Sequence, residues 1–164
     1  MKTLTTLLIL LVTSVTIGQV QFGKKESFAF SAYVDPNASI KENGLDIGID
    51  IEYRGAMYAK FGIESFAQLP GGYFDIHGGY GLRLTYGHFE NLATYAGGRM
   101  GVAFRNGAPN PIAGFEGGVD YTFDSGLLIG INGSYIFRGD MKSMGWDEIW
   151  RENFYIRVGY SWDW

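Results

Sequence analysis

Only a few side chains in this sequence could act as bases or nucleophiles. His77 follows Asp75 by two residues, so on an extended strand both side chains project from the same face. Such a histidine could serve as a base, a proton carrier or a metal ligand, but a histidine among carboxylates is more often a paired interior residue. His88 falls in a predicted turn, and two histidines on different elements do not make a metal site. No G-x-S-x-G segment is present, and no histidine is obviously paired with the strand serines Ser31, Ser65, Ser134 and Ser161.

A larger set of charged side chains recurs at alternate positions along predicted strands, which would place it on one face of a sheet. The set is Asp50, Glu52, Lys60, Glu64, Asp75, His77, Arg83, Arg99, Glu116, Asp120, Arg138 and Arg157. Acids and bases in such numbers on one face predict an ion-pair network, for which the planar guanidinium of arginine is well suited. The alternative is a narrow polar path for ions or protons. Because the side chains nearly fill the lumen of an eight-stranded barrel, we favour the network.

Eight segments with alternating apolar and polar residues position these side chains. They are predicted at 27–34, 45–53, 56–66, 73–86, 92–104, 112–123, 126–138 and 154–164. Loops at 35–44, 67–72, 105–111 and 139–152 alternate with shorter turns at 54–55, 87–91 and 124–125. This rhythm predicts an all-β fold, a closed antiparallel up-and-down transmembrane β-barrel of eight strands.

The glycines indicate which face of this sheet points inward. Ten of them lie on the polar face: Gly48, Gly62, Gly79, Gly81, Gly97, Gly101, Gly114, Gly118, Gly130 and Gly159. Glycine is favoured where backbones and side chains crowd, and the crowded face of a barrel is the concave one. The polar face therefore points inward and the large apolar side chains point outward, as lipid requires. A soluble barrel with its apolar face inside is the alternative.

Residues 1–18 have the composition of a cleavable signal peptide. Lys2 supplies a positive start, an apolar run extends from Leu4 to Val15, and small residues before Gln19 suit cleavage. The run is too short for a comfortable transmembrane helix, which needs about 20 apolar residues. We therefore predict a signal peptide at 1–18 and a barrel at 19–164.

The composition agrees with a β-rich membrane protein. Charged residues make up 18% of the chain, aromatic residues 16%, and 25 residues are glycine. The absence of cysteine excludes disulfides, thiolate metal sites and a lipidated cysteine. The net charge of -4 gives no reason to expect a nucleic acid as a partner.

With these features the sequence resembles the small eight-stranded outer-membrane barrels of Gram-negative bacteria. The resemblance covers residues 20–164 and rests on the signal segment, the strands, the rhythm of the connections and the aromatic last strand. It implies an outer-membrane location with periplasmic termini, and longer loops that face the outside. It also implies that Tyr160, Trp162 and Trp164 form the C-terminal signal recognised by the barrel-assembly machinery.

The last loop, 139–152, is the most informative for recognition. Trp146, Ile149 and Trp150 have i, i+3, i+4 spacing, so one helical turn would gather them on one side. These residues have two interpretations, an aromatic lip that rests on lipid headgroups and a contact for a partner protein or an external surface. We modestly favour the aromatic lip.

These observations predict a structural or binding barrel whose external loops carry any recognition. Its expected partners are outer-membrane lipid, the assembly machinery and an external protein or surface, without any cofactor, metal or catalytic residue. The alternatives are a narrow porin-like channel for ions or small solutes and, less favoured, a lipid-modifying outer-membrane enzyme.

Overall fold

The computed structural model describes residues 20–22, 26–41, 44–67, 72–86, 89–143, 145, 147 and 149–163. The segment predicted as a signal peptide lies outside the described residues. Strands β1 to β4 span Val20–Phe22, Ser27–Val34, Leu45–Arg54 and Met57–Ala67. Strands β5 to β9 span Tyr73–Tyr86, Phe89–Arg105, Ala108–Thr122, Leu127–Arg138 and Trp150–Asp163. Two short helices follow β2 and β8, namely α1 (Pro36–Lys41) and α2 (Gly139–Ser143).

Strands β2 to β9 form a closed barrel. Each pairs antiparallel with the next in sequence, and β9 returns to pair with β2 from Ser27↔Asp163 to Val34↔Ile156. The prediction of a closed eight-stranded up-and-down barrel is confirmed. We call the end that holds Ser27 and Asp163 the terminal end, and the end that holds α1 and α2 the loop end.

Side chains alternate strictly between the two sides of the barrel wall. Along β3, for example, Ile47, Ile49 and Ile51 are exposed on the outside whereas Asp50 and Glu52 are buried inside. The interior also holds apolar side chains, among them Leu128 and the small cluster of Ala103, Ile112 and Ile136. The polar face is therefore the inner one.

The third long loop, predicted at 105–111, is instead a two-residue turn at Asn106 and Gly107. Both residues have positive φ angles, 52° and 78°, as a type I′ hairpin requires, and Asn-Gly is the sequence that adopts this turn most readily. Strand β7 tolerates Pro109 and Pro111 here because it extends past the end of β8, which first pairs at Ile112↔Arg138. Prolines at such an edge leave no N–H to attract another strand.

Strand β1 was not predicted, because three residues are too few to show alternation. It pairs antiparallel with Leu84–Tyr86 of β5, where β5 continues past its last pair with β4 at Met57↔Leu82. The short strand thereby covers an otherwise open edge at the terminal end. Of the helices in the described ranges, none has both the length and the apolar character needed to cross a membrane.

Candidate functional site in the barrel lumen

All twelve ionisable side chains that the sequence assigned to the lumen network lie buried inside the barrel, none more than 7% exposed. Among the described residues, six further charged side chains are buried: Asp35, Asp46, Arg54, Arg105, Asp140 and Arg151. The charges fall into two clusters, one towards each end of the barrel, and the ion pair of Lys60 with Glu116 lies between them.

Arg157 is the centre of the cluster near the terminal end. Its guanidinium lies 2.5 Å from Glu52, 3.0 Å from Asp50 and 3.3 Å from Asp120. It also donates from Nε to the Ser31 hydroxyl at 2.8 Å, and this hydroxyl donates to Asp50 at 2.7 Å. One cation on β9 therefore joins carboxylates from β3 and β7.

Arg54 extends this cluster towards the terminal end, with Nη2 3.2 Å from Asp120 and Nη1 3.1 Å from the Thr122 hydroxyl. Arg83 is buried in the same half of the lumen. None of the carboxylates in the described ranges lies within 4.0 Å of its guanidinium, so the structure does not bring it into an ion pair.

A lysine–glutamate pair lies in the middle of the lumen. Lys60 Nζ lies 2.6 Å from Glu116, which also accepts a hydrogen bond from the Tyr58 hydroxyl at 2.9 Å. A cavity of about 10 Å³ remains nearby, lined by Tyr33, Asp50, Lys60, Arg99, Asn132, Tyr155 and Arg157. A cavity of this volume is at the lower limit for one water molecule.

Glu64 is the centre of the cluster near the loop end. It lies 2.9 Å from Arg99 and accepts hydrogen bonds from the hydroxyls of Tyr155 and Tyr73 at 2.8 and 2.9 Å. Arg99 also lies 3.6 Å from Asp75. Strands β4, β5, β6 and β9 are thus tied together across the lumen.

His77 belongs to this cluster. Its Nδ1 lies 2.7 Å from Asp75 Oδ1 and 3.1 Å from Arg99 Nη2, and its Nε2 lies 3.5 Å from the Tyr33 hydroxyl. The imidazole is 2% exposed, and none of its partners in the described ranges is a serine. The arrangement fixes the ring within a network and gives a substrate no access to it.

Helix α2 contributes a buried carboxylate, Asp140, at the loop end. Asp140 accepts hydrogen bonds from Nε of Arg105 and Nε of Arg138, both at 2.8 Å, and from Arg138 Nη2 at 3.1 Å. The Arg138 guanidinium in turn lies 3.8 Å above the ring of Tyr73. Burial alone would raise the pKa of Asp140, but the hydrogen bonds and charges of the two arginines outweigh it and hold the pKa below its ordinary value.

We expect Asp140→Asn to lower the free energy of unfolding by about 2 kcal/mol at neutral pH, because charge-assisted hydrogen bonds are lost. The lowered pKa means that this stabilisation is complete above about pH 4, the ordinary value of the carboxyl, and disappears as the pH falls through the folded-state pKa. Urea unfolding of both proteins in phospholipid vesicles at pH 7 and pH 3 measures the difference. Exposed Asp147, changed to asparagine, is the control, and a difference that does not shrink in acid would contradict the assignment.

Three buried arginines that are absent from the predicted network could have been recognised from the alternation of the strands. Arg54, Arg105 and Arg151 lie one to three residues beyond the predicted strand ends, and each continues the inward parity of its strand. Arg151 lies 3.1 Å from Asp46 and donates to the Tyr73 hydroxyl at 2.7 Å. Alternation could not have identified Asp140, because this residue belongs to a helix and not to a strand.

The aromatic residues of the last loop lie differently from the prediction. Trp150 begins β9 instead of ending a helical turn, and its ring stacks on Tyr135 at 4.9 Å. The Ile149 carbonyl accepts a hydrogen bond from the Arg138 amide at 2.8 Å, and Trp146 lies outside the described residues. The prediction of one helical turn that gathers all three residues is therefore wrong for Trp150. This residue is extended and pairs with Phe137 in the barrel wall.

Two of the three residues predicted to form a C-terminal assembly signal lie on the outer wall. Tyr160 and Trp162 are exposed, and Trp162 stacks on Phe28 at 6.3 Å, whereas Trp164 lies outside the described residues. Over the described part of the chain, no group of three or more His, Cys, Asp or Glu is arranged to hold a metal ion.

The sequence matches no protein-family model and no curated protein. Among solved structures, a designed transmembrane β-barrel gives a TM-score of 0.54 at 14% identity, over 87% of this chain and 100% of the designed one. The outer membrane protein Ail of Yersinia pestis, in a phospholipid bilayer nanodisc, gives 0.52 at 11% identity, over 85% of this chain and 100% of Ail. The N-terminal β-barrel domain of OprF from Pseudomonas aeruginosa gives 0.46 at 12% identity, over 85% and 99% of the two chains. At these identities the likeness is one of fold, and the fold shared with the first two is the closed β-barrel.

Proposed function

We propose that this chain is an integral outer-membrane β-barrel with a filled lumen, which acts as a structural anchor or binding protein. The observation that carries the proposal is the inversion of polarity, with charges inside a closed barrel and large apolar side chains outside. A soluble protein would not leave so large an apolar surface in water, whereas lipid requires it. Closure also pairs the strand edges that lipid does not tolerate.

Aromatic side chains near both ends of the outer wall support a membrane location. Phe28, Tyr53 and Trp162 cluster near the terminal end, with ring centroids 5.7 and 6.3 Å apart. Tyr135, Phe137 and Trp150 cluster near the loop end. Such bands are typical of the two interfaces of a membrane.

The location and orientation follow from the family that the sequence resembles. On this proposal the signal peptide at 1–18 directs the chain out of the cytoplasm of a Gram-negative cell, and the barrel of 19–164 is inserted in the outer membrane. Both termini face the periplasm, and the assembly machinery recognises Tyr160, Trp162 and Trp164. The shared fold with Ail, a protein of that membrane, supports the location.

The ion pairs of the lumen favour an anchor over the alternative of a narrow channel. Arg157, Lys60 and Arg99 each lie across the interior against carboxylates of other strands. The Lys60–Glu116 pair lies between the two clusters, and the cavity beside it has a volume of only about 10 Å³. A lipid-modifying enzyme is not favoured, because His77 is enclosed by Asp75 and Arg99.

Recognition, on this proposal, belongs to the loop end. Helix α1 presents Ile40, which is 81% exposed, and α2 presents Lys142 and Ser143. A partner protein or an external surface would meet these residues first.

We expect the protein folded in detergent to migrate differently in SDS gels before and after boiling, because a closed barrel resists SDS until heated. Circular dichroism of the unboiled form should show β structure. A protein that stays soluble without detergent and shows no shift would overturn the membrane barrel.

Planar bilayer recordings separate the anchor from the channel. A folded, heat-modifiable protein that produces no conductance steps supports the filled lumen. Reproducible steps that change in Lys60→Ala would support the channel instead, because this variant removes the pair with Glu116.

A further inference from the structure

A groove of about 540 Å³ crosses the outer wall of the barrel over strands β9, β2, β3 and β4. The strand register places two rows of outward side chains along it. One row consists of Val158, Ala32, Ile49 and Ile63. The next row towards the loop end consists of Ile156, Val34, Ile47 and Ser65. Four neighbouring strands about 4.8 Å apart make the groove roughly 14 Å long.

Differences in side-chain size create this groove. Ala32 is its lowest point, because the methyl group projects far less than the branched side chains beside it. The next row towards the terminal end rises well above Ala32 and contains Phe30, Phe61 and Tyr160, each about half exposed. Helix α1 contacts β9 and β3 at the loop end.

The lining suits a hydrocarbon chain rather than a peptide. Apart from the hydroxyl of Ser65, the side chains that project into the groove are aliphatic. The backbone groups beneath them are used in the β9–β2, β2–β3 and β3–β4 ladders. A peptide in the groove would therefore find no backbone partners, and unpaired peptide groups are costly at membrane depth.

We propose that this groove binds one acyl chain of a membrane lipid. The proposal rests on the proposed function, since a wall that faces the membrane meets hydrocarbon chains along its whole apolar band. The groove is continuous with that band, and its projecting side chains are aliphatic except for Ser65, whereas the neighbouring row carries Phe30, Phe61 and Tyr160. A chain lying there contacts side chains of both rows at once.

Native mass spectrometry of the protein released from detergent micelles tests this proposal, with a phosphatidylethanolamine carrying 16-carbon chains as the probe. Ala32→Phe fills the groove, and Ala113→Phe makes the same change at an exposed outward position of β7. We expect the unmodified protein and Ala113→Phe to retain one lipid per barrel. Ala32→Phe should retain at least fivefold less, and Ile49→Phe provides a second, independent block of the groove.

All variants are first checked for the heat-dependent gel shift. Loss of the shift in the unmodified protein would refute the membrane barrel itself. With the shift intact, equal lipid retention by Ala32→Phe and Ala113→Phe would overturn the groove alone. A dimer that dissociates in Ala32→Phe without a change in bound lipid would assign the groove to a second copy of the chain, and would also overturn the proposal.

Discussion

Replacing Arg157 by alanine should lower the free energy of unfolding by about 3–5 kcal/mol, the usual cost of leaving buried charges without their partner. Asp50 and Glu52 lie 3.0 and 2.5 Å from the guanidinium, and both residues are buried. Arg54 remains 3.2 Å from Asp120 and 3.5 Å from Glu52, so the loss is concentrated on Asp50, whose ion pair is with Arg157. Urea unfolding in phospholipid vesicles, followed by tryptophan fluorescence, measures the effect.

Two further variants distinguish this electrostatic cause from a general loss of packing. Lys142→Ala removes an exposed basic residue of α2 and should change stability by no more than about 0.5 kcal/mol. Adding Asp50→Asn to Arg157→Ala should recover at least about 1 kcal/mol relative to the sum of the single losses, because the uncompensated charge disappears. Strict additivity of the two changes would show that Arg157 acts mainly as filling volume.

The barrel could be predicted from the sequence because a strand with one face towards lipid and one towards a polar lumen must alternate. The pattern in Leu45–Arg54 leaves no other assignment, and even Arg54 at its end obeys the parity. Strand ends were less visible. Pro109 and Pro111 lack the backbone N–H that a strand residue normally donates. The sequence therefore predicted a longer loop where the structure has a hairpin at Asn106-Gly107.

The pairing inside the lumen could not be predicted to the same extent. Alternation assigns Arg157 and Asp50 to the inner face, but they are separated by 107 residues and meet only because β9 closes on β2. Which acid pairs with which base depends on the register between strands and on their tilt in the closed barrel. Neither can be read from the sequence of a single strand. Asp140 shows the same limit, because a loop residue reaches the lumen only after the barrel wall exists around it.

Gly97 and Gly98 are neighbours on β6 with opposite surroundings, and we expect alanine at the two positions to have opposite effects. A Cβ on Gly97 would point inward, 2.5 Å from the Tyr58 hydroxyl and 2.7 Å from the Cα of Gly81 on β5. Because the Gly81 backbone cannot move without opening the β5–β6 ladder, Gly97→Ala should cost about 3 kcal/mol or prevent closure. The folded fraction in vesicles, read from the heat-dependent gel shift, and the urea midpoint measure this loss.

Gly98→Ala is the matched control, since its Cβ would point outward with its nearest neighbours 3.9 Å away. Alanine there should be neutral or stabilise the strand by about 0.5–1 kcal/mol, because it reduces the freedom of the unfolded chain without crowding the folded one. The contrast tests the argument that assigned the polar face to the lumen, namely that glycine is needed where the wall is concave. Equal effects at both positions would mean that crowding does not select glycine at Gly97, and the orientation of the wall would then rest on the buried charges alone.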